Sequence, residues 1–305
     1  MKKAIVKSLL FLLAAWPLKV HRFNARILAF LLENVIRYRR DDVIVNLSRC
    51  FPDEDYAVIK RIRKEFYIHF ANLVAEAIWF GGCRNPERLV KAHIATVRNP
   101  ESLIEMDTHP AGMMILCSHC GNWEMLAGVT VPGAFMPGEM SAKFPVKEWN
   151  IGVSYRQQSG KVWDEIIRDN RFAPVSDKHV PGYLETKSLV RFILSHQDSK
   201  FYYHMITDQR PYLPGSDRME VDFLGQKSRT MSAAASLAHK TGMPVMFLRM
   251  RRDESYNYVL EYVPICPDAS VMEPQEIMDR YYELLNAEIR EQPFNYLWTH
   301  RRWPK

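Results

Sequence analysis

From about residue 90 onward the chain alternates short apolar runs with segments whose apolar positions recur at helical spacing, and few folds accommodate that alternation. The runs, expected as strands, are His93–Arg98, Met113–Ser118, Val153–Arg156, Lys200–Thr207, Val245–Met250 and Tyr258–Val263. Helical spacing predicts helices over Trp123–Val129, Lys161–Asp169, Thr186–His196, Met231–Thr241 and Pro274–Glu291. Apolar strands separated by helices must be covered on both faces, so the expectation is an α/β fold with a central, mostly parallel sheet flanked by helices. No internal repeat interrupts this order.

The chain before residue 90 reads differently. Helical spacing runs from Asp41 to about Ser48 and again from Asp53 to Phe80, with Ile59, Ile62, Phe66, Phe70 and Leu73 on one face. Phe51-Pro52-Asp53 separates the two, Asp53 has the chemistry of an N-cap, and Gly81-Gly82 ends the second. The length of 305 residues with 47% hydrophobic and 25% charged suits a packed globular body rather than disorder, collagen or coiled coil. Residues 41–305 are therefore expected to form one domain, with residues 1–40 appended as a separate helical segment.

Charge sets that segment apart. Residues 1–40 hold nine Lys and Arg against Glu33 alone, a balance of +8, so with the whole chain at +6 the rest carries −2. A slightly acidic body argues against nucleic-acid binding. Between the cations lie Ser8–Leu18 and Ile27–Leu32, each well short of the roughly 20 apolar residues that cross a bilayer. Met1-Lys2-Lys3 before an apolar stretch resembles a secretory leader, but no small-x-small cleavage site follows, and Trp16-Pro17 leads into further basic and apolar residues. Two basic, apolar helices lying at an anionic membrane surface account for both runs, and helices simply packed on the body are the alternative. Five cysteines without framework spacing suggest reduced thiols and a body facing the cytoplasm.

The sharpest local feature is Met114-Ile-Leu-Cys-Ser-His119-Cys-Gly-Asn-Trp-Glu124. An apolar strand ends at Cys117-Ser118, Gly121-Asn122 makes a turn and a helix begins near Trp123, which sets His119 just beyond the carboxyl end of a strand, where open α/β sheets place ligands. On one continuous helix the His-x4-Glu spacing would hold the two side chains about 140° apart. With a turn between them Glu124 is expected to reach back to the imidazole, fixing its tautomer and leaving the other nitrogen as a general base. A structural histidine is the plainer reading. Zinc on Cys117, His119 and Cys120 lacks a second ligand cluster, and Cys120 as nucleophile has its histidine awkwardly adjacent, so neither a metal nor a cofactor is expected.

The segment His119–Glu124 resembles the His-x4-Asp/Glu motif of the late lipid A acyltransferases, the lauroyl and myristoyl transferases of a wider glycerolipid acyltransferase-like group. Further stretches agree with that family in order: Tyr38–Leu47 with Cys50–Asp53, Phe66-Tyr67 with Glu76, Tyr155-Arg156, Asp208-Gln209-Arg210-Pro211, Phe223–Gly225 and Trp298–Trp303. The resemblance spans nearly the whole chain, and the shared order carries more weight than any one motif. It implies transfer of a fatty acyl group from an acyl-carrier-protein thioester to a hydroxyl of a lipid A precursor, at the cytoplasmic face of the inner membrane. His119 would then be the general base and Glu124 the group that orients it. Arg156 would anchor substrate or stabilise the oxyanion, Asp208 and Gln209 would shape the site, and Arg210 would meet a phosphate or carboxylate.

Each of these has a plainer reading. Arg156 could be a surface ion-pair partner, Asp208 could hold a turn before Pro211, and Thr230 is expected to cap the helix that starts at Met231. The closing His300-Arg301-Arg302-Trp303 is expected to fold back on the body, with Trp298 and Trp303 buried. The alternatives to lipid A acylation are the same chemistry on another membrane glycolipid or aminolipid, and a non-catalytic lipid-binding protein.

Overall fold

A computed structural model describes residues 2–157, 160–175, 182–211 and 219–303. The N-terminal helices are α1 (Lys2–Ala14) and α2 (Leu18–Phe30), the latter running into a π-helical turn over Leu31–Val35, followed by α3 (Arg40–Cys50) and α4 (Tyr56–Phe80). Next come α5 (Pro86–Ala92), β1 (Ala95–Val97), α6 (Pro100–Met106) and β2 (Gly112–Cys117). A 3₁₀ segment over Trp123–Thr130 leads to α7 (Gly138–Lys143), β3 (Ile151–Tyr155), α8 (Lys161–Arg171), β4 (Gly182–Glu185), α9 (Thr186–Ser195) and β5 (Phe201–Ile206). The hairpin of β6 (Glu220–Phe223) and β7 (Gln226–Arg229) precedes α10 (Ala233–Thr241), β8 (Val245–Arg252), β9 (Tyr258–Cys266) and α11 (Pro274–Glu291).

Seven strands form the central sheet in the order β1-β9-β8-β2-β5-β3-β4, and every neighbouring pair is parallel except β8 with β9. The expected α/β architecture is thus present, and all six expected strands lie in it. Strand β2 is buried along its whole length, so it carries apolar side chains to both faces. Met114 and Leu116 join one core with Phe66, Phe247 and Tyr281, while Met113 and Ile115 join the other with Trp79, Phe135 and Leu260. Gly112 has φ +95° where β2 starts beside β5, and a Cβ there would strike the Phe201 backbone at 1.8 Å, so this position takes only glycine.

Several elements depart from the sequence expectation. Trp123–Thr130 is 3₁₀ rather than α-helical. Strand β4 is four residues long, lies at a sheet edge and has only Tyr183-Leu184 as an apolar run, too little to mark it. The β6–β7 hairpin turns on Leu224-Gly225, both at positive φ, and Leu224 is held there by its amide donating to Asn286 Oδ1 at 3.1 Å. Helix α4 starts at Tyr56, and its N-cap is Asp55, without a side-chain cap, rather than Asp53. All five cysteines are buried and free.

The first forty residues pack through one side and expose the other. Helix α2 buries His21, Ala25 and Ala29, the alanines letting its backbone approach α4 closely, and Arg63 of α4 donates to Glu33 at 3.0 Å in a buried pair. On the outer side Leu9, Phe11, Leu12, Phe23, Ile27 and Phe30 are all more than half exposed. Among the described residues no helix is long and apolar enough to cross a membrane.

A fully buried carboxylate joins these layers. Glu76 of α4 accepts from both Nη atoms of Arg252 at 3.1 and 2.9 Å, from Arg22 Nε at 3.0 Å and from the Tyr258 hydroxyl at 2.7 Å. Burial opposes its charge, but the Arg252 guanidinium and the hydrogen bonds outweigh that, and Glu76 stays below the ordinary carboxylate range. Glu288 of α11 is the contrary case. Burial pushes it up to about 8, and among the described residues the Met250 amide at 2.9 Å is the only hydrogen bond to its carboxyl group.

Two predictions follow from these carboxylates. Glu76→Ala leaves Arg252 buried without its counter-charge and should cost about 3–5 kcal/mol by urea unfolding, against about 0–1 kcal/mol for Lys7→Ala, which breaks an exposed pair with Asp169. Folded Glu288 keeps its proton to about pH 8 while the unfolded side chain releases it near 4.5, so between those values the folded state holds more protons and stability falls as pH rises. Glu288→Gln should flatten that decline in unfolding curves taken from pH 5 to pH 8, and an unchanged slope would refute the assignment.

Candidate functional site

Strand β2 delivers His119 to the carboxyl edge of the sheet, between β5 and β8. The chain turns sharply there. Gly121 sits at φ +65°, where a Cβ would strike the Met250 side chain at 2.4 Å, and Gly121 N–H donates to Asn295 O at 3.2 Å. Leu297 N–H donates to His119 O at 3.2 Å, and Cys120 bridges to Tyr296. The C-terminal segment therefore pins the loop that carries the histidine. The Trp123 ring packs edge-on to the imidazole, with centroids 4.6 Å apart.

The carboxylate that meets His119 is Asp208, just past the end of β5. His119 Nδ1 donates to Asp208 Oδ1 at 2.7 Å, and the Gln209 amide donates to His119 Nε2 at 3.0 Å. That pattern belongs to a neutral imidazole with its proton on Nδ1 and a lone pair on Nε2. Asp208 is fully buried, and burial disfavours its charge, but His119, with help from Arg302, holds it below the usual carboxylate range. The His119 side chain is 15% exposed, while its partner is out of reach of water.

Glu124 goes elsewhere, which corrects the sequence expectation. Both of its oxygens accept from Arg171 at the end of α8, through Nε and Nη2, and neither bonds to His119. In the first turn of the 3₁₀ segment the side chain faces α8, and a bidentate guanidinium is a stronger partner than one imidazole nitrogen. A carboxylate near in sequence loses to one 89 positions away.

Arg302 is a site residue that sequence reasoning missed. It is 4% exposed, its Nη1 donates to the Asp208 carbonyl and its Nη2 donates to the Tyr282 hydroxyl at 2.8 Å. Its guanidinium also lies 4.3 Å from the Phe223 ring centroid. The Thr230 hydroxyl meets the Tyr282 hydroxyl at 2.8 Å and donates to Thr207 O at 3.4 Å, rather than capping α10, whose N-cap is Ser232. The tail does fold back as expected: Trp298 is 1% exposed and Trp303 is partly buried. The only sequence signal for Arg302 was its place in the closing Trp298–Trp303 motif, which composition alone reads as a basic, aromatic surface.

The remaining residues share the edge. Strands β3 and β5 run parallel to one another, and β5 to β2, so Arg156 after β3 and Gln209-Arg210 after β5 leave the sheet on the same side as His119. Arg156 and Arg210 are both exposed there. Cys117 and Cys120 are buried, and burial pushes both thiols well up, so neither supplies a thiolate for attack or for metal binding. The arrangement can do general-base chemistry on a proton donor arriving at His119 Nε2, at a sheet edge that also carries the exposed Arg156 and Arg210.

A family model described as bacterial lipid A biosynthesis acyltransferase matches residues 3–163 and 188–305. The chain belongs to that family. Its reaction class is therefore acyl transfer, and the Asp208–His119 pair stands in a chain of that class. No curated protein matches the chain.

The geometry makes a prediction about the ring itself. In Asp208→Asn the new amide can donate to Nδ1, which would move the ring proton to Nε2 and remove the base. Ring ¹⁵N chemical shifts should report the Nδ1–H tautomer in the wild type and a shift toward Nε2–H in the variant. Identical spectra would show that Asp208 does not fix the tautomer.

Proposed function

We infer that the protein transfers a fatty acyl group from an acyl-carrier-protein thioester to a hydroxyl of a lipid A precursor. The observation that carries the reading is the 2.7 Å Asp208–His119 bond on a partly exposed imidazole, in a member of this family. The acceptor hydroxyl takes the position of the Gln209 amide on Nε2. His119 removes its proton as the oxygen attacks the thioester carbonyl, and buried Asp208 stabilises the imidazolium that forms. When the tetrahedral intermediate collapses the carbon–sulfur bond breaks, and the imidazolium returns the proton to the departing thiolate. No covalent acyl-enzyme is needed.

Arg156 and Arg210 then bind the anionic parts of the substrates or the developing oxyanion, where a fixed guanidinium suits charged oxygen. Gln209 tests the acceptor by giving up its hydrogen bond to it. Glu124 acts through Arg171 as a positioning residue that ties α8 to the segment after His119. The exposed apolar side of α1 and α2, with Lys19 and Arg26 beside it, supports seating at the anionic cytoplasmic surface of the inner membrane.

The test is to incubate the detergent-solubilised protein with acyl-carrier-protein thioesters and a lipid A precursor and to read products by mass. His119→Ala should lower transfer by about 10²–10⁴-fold, the usual worth of a general base, and Asp208→Asn by a comparable factor. Glu124→Gln should cost less than either. Full transfer by folded His119→Ala overturns the mechanism. His119-dependent thioester consumption without a lipid A product would move the acceptor to another membrane glycolipid or aminolipid.

A further inference from the structure

A second concave site lies on the same edge of the molecule. The cleft has a volume of about 400 Å³ and is walled by α2, α4 and the turn between β8 and β9. That size is in the range of small-molecule sites. Lys19, Arg22, Phe23 and Arg26 contribute from α2, and their i, i+3, i+4, i+7 spacing puts all four on one helical face. The turn contributes Tyr256. Because β8 is parallel to β2, this turn leaves the sheet at the edge that carries His119.

Among the described residues, one of the three cations that α2 gives the cleft is paired and two are not. Arg22 is clamped by Glu76 at 3.0 Å and by Tyr256 O and Asn257 Oδ1, each at 3.1 Å, which fixes its guanidinium at the wall. Lys19 and Arg26 are exposed and make no ion pair among the described residues. The lining itself holds three cations, Lys19, Arg22 and Arg26, and no carboxylate; Glu76 lies beneath it, Glu65 acts on Tyr256 from α4, and the turn also carries the exposed Asp253 and Glu254. The charge of the lining residues is thus wholly positive. Asn72 is 3% exposed at the α4 wall, its Nδ2 donates to Ile68 O at 2.8 Å, and its buried Oδ1 has no partner. A buried acceptor without a partner in a cationic cleft suits a ligand that carries both negative charge and a hydroxyl. Hydrocarbon has a place beside it: Phe23 is 62% exposed at the cleft and Ile27 and Phe30 continue the row at 53% and 60%.

We propose that this cleft binds the phosphate group of an amphiphilic lipid, with Lys19, Arg22 and Arg26 on the phosphate and Phe23, Ile27 and Phe30 along its chains. Charge complementarity and the apolar row select a lipid phosphate over a free anion. The site depends on the membrane-surface reading only for where the lipid comes from, and it does not depend on which hydroxyl is acylated. It would hold a lipid by its headgroup at the edge of the sheet where His119 opens, through the Glu76 cluster that also meets Asn122, three residues past the histidine.

The experiment uses the full chain in an uncharged detergent, titrated with dihexanoyl phosphatidic acid below its micellar concentration and, separately, with inorganic phosphate. The wild type should bind the lipid phosphate, and Lys19→Ala/Arg26→Ala should weaken it at least tenfold. Lys227→Ala/Lys240→Ala, which removes the same charge from exposed positions outside the cleft, should not change it. Equal weakening by both pairs would mean diffuse attraction and overturn the site, as would no binding by the wild type. Inorganic phosphate binding as tightly as the lipid would overturn the lipid assignment. None of these variants touches His119, and His119→Ala should bind as the wild type does, so a wild type that binds the lipid but transfers no acyl group would sink the catalytic reading alone.

Discussion

The fold turns on a single buried charge. A carboxylate with no access to water is tolerated only when cations and hydrogen bonds replace its hydration, and Glu76 recruits them from four different parts of the chain. Arg22 comes from the N-terminal helices, Arg252 from the end of β8, Tyr258 from the start of β9, and Asn122 from the loop after His119, its Nδ2 3.5 Å away. None of these partners can move without leaving Glu76 short of one, so the first forty residues, the sheet edge and the loop of the candidate site are held in one arrangement. Such a cluster contributes less to net stability than its attraction suggests, because each ion had to be desolvated. What it gives is a unique seating of α2 on α4.

The C-terminal segment does the same for the other side of the site. Asn295 and Leu297 hold the backbone around His119, and Arg302 reaches the Asp208 carbonyl and Tyr282. The two ends of the chain thereby converge on the carboxyl edge of the sheet, one through Glu76 and one through Asp208. A side chain that must present one ring nitrogen in a fixed tautomer needs this kind of support, since a small misplacement costs general-base chemistry a large part of its effect.

The strands were legible because the central ones are buried on both faces and so are mostly apolar, without a break in Met113–Cys117. Helices of a few turns with one buried face were legible for the same reason, and α11 coincides with its expected range. What left no pattern was short: β4, the β6–β7 hairpin, and α5, α6 and α7, each of about two turns. A helical period cannot be read from six or seven residues, and β4, β6 and β7 carry no apolar run long enough to mark them. The 3₁₀ path of Trp123–Thr130 was hidden by its composition, which is as apolar as that of a buried α-helix.

By itself the sequence determined the fold class, the two-sided burial of the sheet, the basic character of the N-terminus, the family signature in motif order and the position of His119 at the end of a strand. These are properties of neighbouring residues, and hydrophobic period and motif spacing record them directly. Only the tertiary structure decided which carboxylate the imidazole meets. Glu124 is five positions away and binds Arg171, whereas Asp208, 89 positions away, is brought alongside because β5 pairs with β2. Hydrogen bonds act over about 3 Å and take no account of distance along the chain, so strand pairing, which the local pattern does not encode, chose the partner.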